Sequence, residues 1–106
     1  MATFFHNITS VLTKNLLAAG DGINNVKSIT LANVDPTNDA KVDLFLNKGD
    51  DDFYILKNVL IPIGSTLVLD EKDNISFNNS ASGFSMRIQV DDGSTTAVNL
   101  DVIIKP

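Results

Sequence analysis

The residues that could do chemistry are few and poorly placed for it. The single histidine, His6, follows Phe4 and Phe5 near the N-terminus. An imidazole works as a general base when a carboxylate orients it and a nucleophile lies within reach. Serines and acids are present, but none has the spacing of a nucleophile elbow. His6 therefore reads as a structural or exposed residue, and no catalytic residue is expected. Acidic residues form two runs, Asp50-Asp51-Asp52 and Asp70-Glu71-Asp73. Neither follows the alternating calcium-loop pattern, with its central glycine and closing glutamate. Adjacent aspartates keep a hairpin solvated and blunt a sheet edge, so solvated loops are expected, with no metal and no cofactor. Paired carboxylates could also hydrolyse glycosides. A sugar cleft needs aromatic walls, however, and the chain has no Trp and one Tyr.

Other motifs are equally bland. Asn7-Ile8-Thr9, Asn74-Ile75-Ser76 and Asn78-Asn79-Ser80 match the glycosylation sequon, but an Asn-rich chain produces such triplets by chance. Gly20-Asp21-Gly22 lacks the following Gly-Lys-Ser/Thr of a phosphate loop. The informative pair is Phe4-Phe5. Neighbouring strand residues point to opposite faces, so the two rings cannot enter one core. Both are candidate partner-binding residues. Two placements are open: residues 1–7 form an N-terminal docking arm, or they form a strand packed on its own domain.

The elements that would carry these residues are strands. Val42, Leu44 and Leu46 alternate with Lys41, Asp43 and Asn47, the period of a half-buried strand. Phe84, Met86, Ile88 and Val90 repeat the pattern, as do Val98, Leu100, Val102 and Ile104, with Ile103 on the outward side. Val26–Asn33 is a shorter example, carrying Ile29 and Leu31. Leu67 with Leu69, and Ile75 with Phe77, are expected as two short strands separated by a turn at Glu71–Asn74. Phe53–Ile61 is more continuously apolar, which predicts a strand covered on both faces or bending between sheets. Ser10–Ala19 shows a faint helical stripe through Leu12, Leu16 and Ala19, but short strands are expected there too. Turn clusters rich in Asn, Asp, Gly and Pro recur between the runs, for example Asp35-Pro36-Thr37-Asn38 and Pro62-Ile63-Gly64-Ser65. Short strands at this spacing predict a single all-β domain over residues 1–106. The expected form is a small antiparallel β-sandwich of immunoglobulin-like or jelly-roll Greek-key type.

Composition narrows the partners. The chain has 106 residues, 43% of them hydrophobic, which suits one core. Cysteine is absent, so disulfides and thiolate chemistry are excluded. Thirteen acidic residues against eight basic ones give a net charge of −5, which argues against a nucleic-acid partner. No apolar run is long enough for a membrane helix. The first residues lack a basic segment followed by a continuous apolar one, so no signal peptide is expected and the chain is expected to be made in a cytoplasm.

The order of landmarks resembles one known group. Val26-Lys27-Ser28-Ile29-Thr30-Leu31-Ala32-Asn33 ends a strand in an Ala-Asn pair before a polar turn. Val42–Leu46, Phe53–Val59 and then Ile61-Pro62-Ile63-Gly64-Ser65-Thr66-Leu67 follow in sequence. From about Leu16 to Ile104 this is similar to the small β-sandwich virion proteins of tailed bacteriophages, particularly the marine T4-like type. The resemblance implies a non-enzymatic structural protein of the head, neck, tail or baseplate, made in the host cytoplasm and located in the virion. It implies contacts with other virion proteins and with copies of itself, and neither a small-molecule substrate nor catalytic residues. The alternative from a different class is a carbohydrate- or host-surface-binding β-sandwich module.

The alternation predicts that Val42, Leu44, Leu46, Met86, Ile88, Val98, Leu100 and Val102 point inward. Leu44→Asp is expected to cost several kcal/mol, comparable with the whole stability (about 5–15 kcal/mol) of such a domain. Urea unfolding measures it; an unchanged midpoint would mean a register slipped by one residue.

Overall fold

The alternating runs all become strands, and the described residues contain no helix. The computed structural model describes residues 3–106, with side chains described outside residues 71–74. Eight strands follow one another: β1 (Phe4–Ile8), β2 (Lys14–Leu17), β3 (Asn25–Asn33), β4 (Ala40–Lys48), β5 (Asp51–Ile61), β6 (Thr66–Ser76), β7 (Ser85–Asp91) and β8 (Leu100–Lys105). They pair from the middle outward, β4 with β5, β3 with β6, β2 with β7 and β1 with β8, all antiparallel. This long folded ribbon is then rolled, so that β3 also pairs with β8 and β4 with β7. Two four-stranded sheets result, β1-β8-β3-β6 and β2-β7-β4-β5. That nesting is the jelly roll of the two expected sandwich types.

Period-two alternation fills the space between the sheets. Ile29, Leu31, Val102 and Ile104 from the first sheet meet Val42, Leu44, Ile88 and Val90 from the second, all fully buried. Each such side chain contributes roughly 1.5–3 kcal/mol on burial. Every residue predicted inward but Leu46 is in this core; Leu46 is partly buried and packs against it near the end of β4. At β2 a register shift between Asn15 and Leu17 lets consecutive Leu16 and Leu17 both turn inward.

Two expectations are corrected. β5 is not covered on both faces: it is a free edge, with Phe53, Tyr54 and Leu60 exposed. Its register against β4 shifts at Val42/Leu44 and again at Leu44/Phe45. Bulges break the inward–outward alternation locally, so the apolar run of the sequence comes from irregular pairing rather than double burial. Asn58, at φ 55°, supplies one bulge. Its N–H donates to Asp43 Oδ1 at 2.8 Å, and Lys57 Nζ lies 3.7 Å from Asp43 Oδ2. This explains why Asp43, expected outward in solvent, is buried. The second correction concerns Glu71–Asn74, expected to separate two strands. β6 runs through as one element, with Ser28 paired to Asp70 and Val26 to Ile75, a break in register within a single ladder.

Loops at both ends are tied by buried amides. Asn79, fully buried, accepts at Oδ1 from Ile23 N–H (3.0 Å) and donates from Nδ2 to the carbonyls of Ala18 (3.0 Å) and Phe84 (2.8 Å). Its backbone N–H reaches Asn24 Oδ1, and its carbonyl accepts from Gly20 N–H. One residue thus joins the β2–β3 loop to the β6–β7 loop. Within the sequon-like triplet Asn78-Asn79-Ser80, the middle residue is structural. Gly83 completes the turn, because a Cβ there would lie 2.2 Å from the Asn78 carbonyl oxygen. At the opposite end Asn33 donates to the carbonyls of Asn38 and Ile61 and accepts from Asp35 N–H, each at 2.9 Å.

Asn79→Ala leaves the Ile23 N–H and the Phe84 carbonyl without their partner, while the Ala18 carbonyl keeps the Asp21 N–H, and each orphaned buried group costs about 1–3 kcal/mol. A loss of at least about 2 kcal/mol is expected in denaturant unfolding with an unchanged slope. Asn79→Asp, which turns two donors into acceptors facing carbonyls, should lose at least as much. A loss in the range of an ordinary surface substitution would contradict the interlock.

Candidate functional site

β1 shows how the Phe4-Phe5 pair is resolved. Phe4–Ile8 is the edge strand of the chain's own first sheet, in register with β8 from Phe4↔Ile104 to Ile8↔Leu100. Phe4 turns inward and packs against the core, while Phe5 turns outward and is 72% exposed. Of the two candidate partner-binding rings, only Phe5 is presented to solvent. His6 points the same way as Phe4. Its Nε2 lies 3.0 Å from the Leu16 carbonyl oxygen, which can only accept, so that nitrogen carries the proton. The bond ties the edge of the first sheet to β2 of the second. Partial burial, with Lys14 nearby, pushes the His6 pKa below its ordinary value, partly offset by the Leu16 bond.

Register places Phe5 in a row that crosses the entire first sheet. Phe5 pairs with Ile103, Ile103 with Thr30, and Thr30 with Val68. All four side chains face outward, with Phe5 and Val68 exposed and the middle two half-buried. Two positions along the strands in one direction lies the polar row Asn7–Asp101–Ala32–Thr66; in the other direction lie Lys105, Ser28 and Asp70. Within the first polar row Asn7 Nδ2 donates to Asn99 Oδ1 (2.6 Å) and Asp101 Oδ1 (2.7 Å). A shallow groove of about 350 Å³ runs along this β1–β8 edge, lined by Phe5, His6, Asn7, Asp101, Val102 and Ile103. Apolar side chains across an outward sheet face are what a contact surface offers.

The second sheet covers its own outward aromatic. Phe45 is buried beneath Tyr54 (ring centroids 5.1 Å apart), and Lys57 lies 4.3 Å above the Tyr54 ring. The bulges of β5 bring these groups over β4, so Phe45 is covered within the chain while Tyr54 itself stays exposed.

The acidic loops serve as turn caps. Asn47 Nδ2 donates to Asp52 Oδ1 at the β4–β5 tip, and Asp92 Oδ1 accepts from Ser94 and Thr96 N–H. Asp35 accepts from the N–H groups of Thr37, Asn38 and Asn99, and these bonds hold its carboxyl below the usual aspartate value. Among the described residues no three His, Cys, Asp or Glu side chains gather as metal ligands. Glu71 and Asp73, from the second acidic run, lie outside the described side chains. No helix among the described residues is long and apolar enough to cross a membrane. No protein-family model matches the chain, and a search of curated proteins found no similar sequence.

Of this row, only Phe5 stands out in the sequence as a contact candidate. Ile103 was on the outward side of its strand, which was the usable signal; Thr30 and Val68 needed the strand order.

Two steps are expected in stability against pH. The His6 pKa is lower in the folded chain than its ordinary 6.5, so the unfolded chain binds the proton more readily. That contribution is complete above pH 6.5 and is lost as the pH falls below it. Asp35 likewise stabilises above its ordinary 3.8 and less below it. His6→Gln, which can still donate to Leu16, should flatten the upper step alone, and Asp35→Asn the lower one. Thermal melts across pH 3–8 test this; a slope below pH 6.5 that His6→Gln leaves unchanged would contradict the assignment.

Proposed function

We propose that this chain is a structural component of a tailed-phage virion, working through protein–protein contacts. The observation that carries the reading is the outward row Phe5–Ile103–Thr30–Val68 on a sandwich whose loops are interlocked. An exposed aromatic beside β-branched residues, on a face of fixed register, is suited to repeated packing against protein neighbours. A cysteine-free domain that needs no cross-link can fold in a reducing cytoplasm before assembly. The jelly-roll topology, used by many capsid subunits among other proteins, adds support by analogy of fold, and the sequence resemblance points the same way.

A carbohydrate-binding module would draw on the same Phe5 ring and the polar groups beside it. Asn7 and Asp101 are bonded to each other there, so a sugar would have to displace an existing pair. That favours a protein partner over a glycan.

Mass spectrometry of particles purified from lysates of the encoding genome should detect the chain in many copies per particle. Phe5→Ser should leave the isolated chain folded, since that ring is mostly in water, yet reduce incorporation severalfold. Particles without the chain would overturn the virion reading. Undiminished incorporation of Phe5→Ser would move the contact to another face.

A further inference from the structure

The outward face of the first sheet has a charge pattern that matches itself. Along β8, Asp101, Ile103 and Lys105 all point outward, with Ile103 in the apolar row and one charge on each side of it. Lys105 is exposed and forms no ion pair among the described residues, while Asp101 is oriented by Asn7.

From this we propose that the first sheet packs face to face on the same sheet of a second copy, about a two-fold axis running along the row Phe5–Ile103–Thr30–Val68. This rests on the reading of that row as a protein-contact surface and names its partner. A two-fold along the row keeps each strand's position across the sheet and reverses its direction. Each apolar row residue then meets its own counterpart. The flanking rows exchange, so Lys105 of one copy lies over Asp101 of the other, and the same pair forms again by symmetry. Ser28 meets Ala32, and Asp70 meets Thr66, with no like charges opposed among these positions. The strands of the two copies run antiparallel, which the aligned mode of sheet packing accepts with a rotation of about 30°. An isologous contact needs this self-complementarity, because one patch must serve both sides.

Size allows it. The first sheet is four strands of five to eleven residues, about 4.8 Å apart, within a molecule of 38 × 29 × 19 Å. A standard interface takes about 800 Å² from each partner, which a face of this breadth accommodates.

Charge exchange tests the proposal. Sedimentation equilibrium of the full chain should show a monomer–dimer equilibrium at concentrations up to about 100 µM. Lys105→Asp and Asp101→Lys each set like charges face to face and should raise Kd roughly ten-fold or more. The double exchange should bring Kd back to within about three-fold of the parent. Asp101 and Lys105 are roughly 13 Å apart along one strand, so recovery has to come from pairing between copies. Circular dichroism of each variant confirms folding, and Lys105→Asp disturbs no internal bond. A chain that stays monomeric, single reversals without effect, or a double variant no tighter than the singles would overturn the dimer. Particle incorporation, followed in parallel, separates the two readings: a monomeric chain that still enters particles removes the dimer and leaves the virion role.

Discussion

The buried amide of Asn79 is the constraint on which the rest of this fold depends. A jelly roll sends nearly every connection from one sheet to the other, so its loops cross the open ends of the core. Backbone polar groups in those crossings must be bonded or hydrated. Here a side-chain amide does the bonding: both Nδ2 protons and Oδ1 of Asn79 are used, against Ala18, Phe84 and Ile23. Asn33 does the same at the other end, and no described buried side-chain N or O lacks a partner. Satisfied polar networks of this kind specify one arrangement, whereas an apolar residue would only fill volume.

With both ends closed, the sheet faces differ. The second sheet's aromatic, Phe45, is roofed by Tyr54 and Lys57, made possible by the bulges and left-handed Asn58 of β5. The first sheet has no such roof. Regular pairing from β1 through β8 and β3 to β6 aligns Phe5, Ile103, Thr30 and Val68 into one row, bounded by Asp101 on one side and Lys105 on the other. Bulged pairing around Asn58 in one sheet and in-register pairing along this row in the other therefore give the two faces different coverings.

Much of this was legible in the sequence, and the exceptions have physical causes. Alternation around Leu44, Ile88 and Val102 reported the core directly, because period two is a local property of the strand. The same rule puts Phe4 and Phe5 on opposite faces without saying which ring turns inward. β5 was misread because bulges mix inward and outward residues, making an exposed edge look doubly buried. The turn expected at Glu71–Asn74 is polar enough to stop a strand, yet β6 continues through it. Asn79 could not be told from the surface asparagines around it, since its value comes from three partners distant in sequence or across a turn. The Phe5 row, and the opposition of Lys105 and Asp101, depend on strand order, which no single strand encodes.

Hydrogen exchange tests the interlock most directly. The Asn79 side-chain amide protons and the Ile23 backbone N–H sit in loops, where exchange is ordinarily fast. If the Asn79 bonds lock the sandwich, these protons exchange only through global unfolding, as slowly as Leu44 and Ile88 in the central strands. Exchange at ordinary loop rates, with the core still protected, would show that the ends open independently and that the fold does not depend on Asn79.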